Sequence, residues 1–478
     1  MTIAAERSAH SLFVRNQWLL SAAQVFSGIG IAVGFAVGGL LAEKLTGSAE
    51  YAGFAQTASI LGAGVLAIPL ARLAERRSRS YALSLGFSLA ALGALIILVG
   101  VRIGVPVVFF VGMALFGSAT ATGLQARYAA TDSAPAHLKG RALSVVVWAA
   151  TVGSVAGPNL ADPGGELGIH LGVGELGGPF ALSAVAFLVA IAFTSRLRRR
   201  RQDVPDPLGT GAAEFAAPAG TASYPAAKTP AQTRPTIRQA LHSIKTRPRA
   251  LLGFTAVVLG HTIMVSVMVM TPVHMAHSGD TIAVIGIVIS LHIMGMYALS
   301  PMFGWAADRF GPIPVIWLGF ALFTASAIVG IADDLAGSSM LRISTALVLL
   351  GLGWSACFIA GSTLISESVP DAIRVTVQGA TDASMNLGAA VFAAVAGPLL
   401  TVGGFTLINA VALGIVALGV LVAIRAMAAN SRSQRPDRER PDSQRPDSER
   451  PDSERPDSER PDSQRSDSQR SNGEQANG

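Results

Sequence analysis

GWAADRFGPI, residues 304–313, follows a long apolar run and carries an acid–arginine pair between two glycines. ARLAERRSRS, residues 71–80, follows an earlier apolar run, with Glu75-Arg76 where the later copy has Asp308-Arg309, an offset of 233. Two further landmarks keep nearly the same spacing. Asp132 and Pro135 match Glu367 and Pro370 at 235, and Gly157-Pro158 matches Gly397-Pro398 at 240. One such pair would carry nothing, but three in register make the chain two copies of one unit.

The composition says what kind of unit this is. Mean hydropathy is +0.49, 51% of residues are hydrophobic and only 14% are charged, which excludes a soluble multidomain protein. Apolar runs of ~20 residues recur, the length that spans a hydrocarbon core. They are continuous rather than alternating, which argues against a β-barrel. The 51 glycines allow close helix packing. Twelve runs are expected, near 17–41, 51–74, 80–101, 105–129, 140–160, 178–196, 250–275, 281–304, 312–332, 342–366, 376–401 and 404–427. The expected fold is an all-α membrane protein, with twelve transmembrane helices in two pseudo-symmetric six-helix halves. The first run is too long for a signal-peptide core and reads as a retained helix. Cys357, the single cysteine, excludes an internal disulfide framework.

The net charge of +6 does not mark a nucleic-acid partner, because the basic residues flank the apolar runs. One side collects Arg7, Arg15, Arg72, Arg76, Arg77, Arg79, Lys139, Arg141, Arg196 and Arg198 to Arg201, then Arg309, Arg374 and Arg425. The other has Lys44, Arg102 and Arg342. The positive-inside rule then puts both termini in the cytoplasm. Residues 1–16 are a cytoplasmic N-terminus, 17–200 the first half and 250–427 the second. Between them, 201–249 is a linker: an Ala/Pro/Thr/Gly-rich stretch expected to be disordered, then a basic amphipathic helix, TIRQALHSIKTRPRALL, expected on the inner membrane surface. Residues 428–478, with RPDSE and RPDSQ pentamers, read as a disordered tail.

Two six-helix halves, a long central loop and Gly304, Asp308, Arg309 and Gly311 after the eighth span together resemble the major facilitator superfamily. The first-half copy departs from the pattern, with Ala71, Glu75 and Ser78 in place of Gly, Asp and Gly. The resemblance implies a secondary transporter whose halves rock about a midplane site, with Asp308-Arg309 and Glu75-Arg76 forming gating contacts at the cytoplasmic side. Neither a catalytic triad nor a phosphate loop is apparent, so neither an enzyme nor an ATP-driven pump is expected.

The substrate has to be read from residues inside the spans. Six of the 12 methionines and four of the 8 histidines fall within His261–Met296. At ~100° per residue, His261, Met264, Met268 and Met275 share one helix face, and Met270 lies opposite. His292 and Met296 stack at i and i+4, with Met294 pointing away. Antiparallel neighbours would bring the two pairs to overlapping depth. Thioethers and an imidazole suit a soft ion such as Cu(I); equally, methionine is an ordinary filler of membrane-helix packing.

M-x-x-x-M in helix seven with H-x-x-x-M in helix eight also resembles the CcoA-type copper importers of that superfamily. The resemblance implies Met264, Met268, His292 and Met296 as metal-binding residues. It also implies copper, as substrate rather than cofactor, entering a bacterial cytoplasm through the plasma membrane. A cytoplasmic copper acceptor is then the expected partner beside the lipid bilayer. His261 and Met275 are added from the helix face, and His274 and His277, at the outer mouth, are either capture residues or ordinary solvated loop histidines. Asp382 and Asn386 sit one turn apart in span eleven, with Asp382 either a coupling group or a packing residue hydrogen-bonded across the half interface. Asp132 and Glu367 are expected to pair with Arg127, Arg141 or Arg374. The Gly-rich stretch 161–178 reads as a flexible loop. The competing reading is a carrier of an organic solute, by riboflavin-like import or multidrug efflux, with the methionines as an adaptable wall. A structural or receptor-like membrane protein is the weakest class.

Overall fold

The computed structural model describes residues 3–134, 138–197 and 236–433. Among them the protein is helical throughout. The first half begins with α1 (Ile3–Thr46), which enters well before the expected start at residue 17, because nothing between Ser8 and Gln17 breaks a helix. Then come α2 (Ala52–Arg76), α3 (Arg79–Ile103), α4 (Pro106–Phe116) and α5 (Ser118–Ser133), the last two sharing the fourth crossing. Ser78 caps α3 by accepting from the Tyr81 amide, and left-handed Gly104 ends it. The fifth crossing is α6 (Lys139–Ala156), a 3-10 turn at Gly157–Leu160, and α7 (Ala161–His170); the sixth is α8 (Gly178–Thr194).

The 161–178 stretch is therefore not a loop for most of its length. Its glycines are a packing face: a Cβ at Gly168 would lie 2.3 Å from the Gly174 carbonyl oxygen and 2.6 Å from the Gly178 nitrogen. Only hydrogen fits there, and the helix α7 folds back on the start of α8.

The second half opens with α9 (Ile237–Thr246), where Thr236 and Gln239 form a reciprocal capping box. This is the expected amphipathic helix, but not one that merely rests on lipid. Ala240 and Ile244 are buried with Val257, Ile365, Val369 and Val377, while Ile237 and Leu241 stay exposed. The disordered stretch expected before it lies outside the described residues, as does the pentamer tail beyond the end of the last helix. The crossings follow as α10 (Pro248–His277), α11 (Ile282–Tyr297) with α12 (Ser300–Phe310), α13 (Pro312–Leu335), α14 (Met340–Ser368) and α15 (Asp371–Ser433). Non-helical Gly403 and left-handed Gly404 divide α15 into two crossings. Among the described residues, ten stretches are long and apolar enough to span, Thr376–Ala428 is long enough to do so twice, and the shorter Gly178–Thr194 completes twelve.

Each half has an aromatic core. Phe109, Phe116, Phe180 and Phe187 interlock edge to face in the first, and Phe320, Phe323 and Phe405 are fully buried in the second. The halves meet closely at the end remote from the N-terminus. A Cβ at Gly53 of α2 would lie 1.8 Å from the Ala393 carbonyl oxygen on α15, and one at Gly397 of α15 would lie 2.2 Å from that of Glu50. Thr57 donates to the Ala390 carbonyl at 3.0 Å, and Asn159 to Ser290 Oγ at 2.8 Å. His277 Nε2 meets Glu43 Oε1 at 2.7 Å, tying α10 to α1.

Candidate functional site in the central cavity

Below that closed end lies a cavity of about 330 Å3 between the halves. It extends from Phe35 and Met268 toward Gln24, Arg127 and Tyr297, that is, toward the end holding the N-terminus. Met264, Met268, His292 and Met296 all line it, as does His261. The helical spacings place them there: i, i+4 pairs on α10 and α11 turn one face of each helix to the same space. Met294 is 45% exposed on the outer surface and Met270 is fully buried beside Gly53.

The two cavity histidines present opposite chemistry. His292 is fully buried, and its Nδ1 lies 2.7 Å from the Leu347 carbonyl oxygen. A carbonyl only accepts, so the proton sits on Nδ1 and Nε2 keeps its lone pair; that nitrogen has no partner. His261 Nδ1 instead accepts the Trp354 indole N–H at 3.0 Å. Its remaining proton is then on Nε2, so His261 offers the cavity a donor where His292 offers an acceptor.

His274 and His277 stand apart from the cavity. His274 stacks on Phe405, with ring centroids 4.4 Å apart, and points Nε2 at Asp333 at 3.4 Å. Asp333, fully buried, also accepts from Ser338 Oγ and the Ser339 amide, both at 2.8 Å, and faces Arg342 at 3.4 Å. Asp334 accepts the Thr406 amide at 2.7 Å. His274 is thus part of a brace, and His277 part of the α1–α10 contact. Met275 is fully buried and does not reach the cavity. Cys357 is buried against Gly319, also off the cavity. No group of three His, Cys, Asp or Glu side chains among the described residues could hold a metal, so a soft ion would rest on thioethers and one imidazole.

At the other end, Asp308 is exposed, Gly304 has open space about it, and Arg309 lies over the rings of Trp305 and Phe310 on its own helix, 5.9 and 5.8 Å away. Arg76 is exposed in the last turn of α2, and the Glu75 side chain lies outside the described residues, as does that of Asp132. Glu367 pairs with Arg249 at 3.5 Å, rather than with the arginines expected for it. Asp382 and Asn386 share a turn, where the Asn386 amide donates to the Asp382 carbonyl at 2.8 Å, and Asn386 lines the cavity.

Sequence reasoning missed several wall residues: Gln24, Gln56, Tyr297 and, above all, Arg127. Arg127 was expected at a gate, yet it closes an apolar span, Pro106–Arg127, and turns into the cavity. A lone arginine inside an apolar run was the available signal.

Known proteins agree with this architecture. The profile of the Major Facilitator Superfamily matches residues 18–282 and 267–460. The uncharacterized MFS-type transporter YdeG of Bacillus subtilis is 33% identical over 412 residues, 86% of this chain and 91% of that one. The riboflavin transporter RfnT of Brucella anthropi is 28% identical over 397 residues, 83% of this chain and 91% of that one. Among solved structures, the nucleoside transporter NupG superposes with a TM-score of 0.63 at 14% identity, over 87% of this chain and 98% of that one, a likeness of fold. None of these matches reaches the copper-importer subfamily. The chain is a multi-pass membrane transporter rather than an enzyme, and it belongs to the Major Facilitator Superfamily.

Proposed function

We propose that the protein carries a small organic solute across a bacterial plasma membrane by alternating access, with both termini cytoplasmic. The central cavity is the observation that supports this. At about 330 Å3 it has the size of a small-molecule site and far exceeds a bare ion. Its walls are mainly apolar, with polar groups among them that include Gln24, Gln56, Arg127, His261, Tyr297 and Asn386. Such a surface holds an organic body by contact and orients it by hydrogen bonds. The riboflavin carrier among the relatives fits that class of cargo.

A second reading rests on its own observation. Met264, Met268, Met296 and the unpartnered His292 Nε2 border one cavity, and together they could pass Cu(I). One measurement separates the two. The purified full chain is heated with riboflavin, with other planar organic solutes, and with Ag(I) as a stable stand-in for Cu(I). An organic solute should raise the melting temperature of the parent but not of Thr151→Trp, whose indole would fill the cavity. Stabilisation by Ag(I) alone, lost in Met268→Leu and His292→Ala, would replace the organic reading with the copper one.

A further inference from the structure

We infer that the carried solute is an organic anion and that Arg127 holds its acidic group, an inference that rests on the central cavity being the solute site. Arg127 lies in the last turns of α5, at the end of an apolar stretch long enough to cross the membrane. Among the described residues it is the only Lys or Arg that lines the cavity, and no described Asp or Glu lines it. Among the described residues it makes no hydrogen bond or ion pair, and its Nε is buried without a partner. A guanidinium cannot shed its proton to escape this situation. At the end of a stretch apolar enough to cross the membrane, a charge without a protein counter-ion is costly unless something repays it.

The wall does not supply that compensation. Tyr297 and Asp382 are within electrostatic reach of Arg127, but neither is ion-paired with it. Both belong to the opposite half, so their distance from Arg127 changes when the halves rock. The missing partner is therefore a ligand group. A carboxylate, sulfonate or phosphonate fits the guanidinium fork with two parallel charge-assisted hydrogen bonds. Across the cavity, Met264, Met268 and Ile293 offer an apolar bed for the rest of the molecule. Asp382 opposes such a ligand by like charge, which gives the site two charge-dependent predictions of opposite sign.

The test uses the purified full chain and matched pairs of probes: benzoate, phthalate and 1-naphthoate against their neutral amides. Tryptophan fluorescence reports binding, since Trp354 touches His261 and Tyr297 in the cavity wall. Acids should bind about tenfold or more tightly than the matching amides, the size of one charge-assisted contact. Arg127→Gln should erase that preference while leaving amide binding in place, and Arg127→Lys should restore part of it. Asp382→Asn should tighten acid binding and leave amides unchanged. Circular dichroism and gel filtration check that each variant is folded. Equal binding of acids and amides by the parent overturns the anion inference while leaving an organic-solute carrier. A preference that persists in folded Arg127→Gln overturns the role of Arg127. Failure of every acid to bind also overturns the anion inference, and if Ag(I) binds instead the organic reading falls with it.

Discussion

The two ends of the cavity are built from the same repeat, yet among the described residues the tight glycine contacts between the halves lie at only one. At the end remote from the N-terminus, the Gly-Pro landmarks of both halves serve the contact between halves. Gly397 packs on the Glu50 carbonyl, and the Pro158 carbonyl packs on Gly286, where an added Cβ would lie 2.5 Å away. At the other end, Arg309 lies over its own helix's rings and Asp308 is exposed. Backbone-to-backbone contact through glycine is short and intolerant of added atoms. Charged side chains on helix ends are long and can disengage. A rocking transporter needs closure that is firm in one state and absent in the other. Here the firm closure uses the residues with the least bulk.

The closed end is where substitution should act most strongly. Gly53→Leu puts a side chain where even a Cβ would sit 1.8 Å from the Ala393 carbonyl, so α2 and α15 cannot meet. With Ser290→Cys as a reporter in a Cys357→Ala background, maleimide labelling should rise about tenfold or more, since the closed state loses its contact. Unchanged labelling would mean that this contact does not hold the end shut. Asp333→Ala acts within one half: it strands Ser338, the Ser339 amide, Arg342 and His274 around a fully buried position. A loss of about 3 kcal/mol is expected, seen as a lower melting temperature. A variant as stable as the parent would remove the brace from the account. The smallest effect belongs to Glu43→Gln. His277 is 53% exposed and Glu43 24%, so their pair is screened by water. Labelling at position 290 should change by about twofold or less. A change as large as that from Gly53→Leu would make charge, not close packing, the main latch.

How far residues alone could be read varied with the kind of contact involved. Helix count and the two halves followed from apolar length and the repeated landmarks, because a bilayer forces backbone satisfaction within each span. The alternation of Met264, Met268, His292 and Met296 onto one cavity followed from helical spacing, since their contacts are local in register. What failed was local too, but depended on a neighbour. The 161–178 stretch has the glycines of a loop and is largely helical because α8 packs against it. Arg127 resembles a helix-end gating residue until the other half is set in place around it.

Sequence by itself therefore determined that this is a twelve-crossing carrier in two related halves, and which faces of α10 and α11 are rich in thioether and imidazole. Those properties depend on hydrophobic length and on angular period along one helix. Only the tertiary structure decided that His261 presents a donor and His292 a lone pair, that His274 and Met275 leave the site, and that Arg127 enters it unpaired. The histidine outcomes are set by partners far away in the chain, 55 residues for His292, 59 for His274 and 93 for His261. No pattern within a single span records which atom will be waiting there.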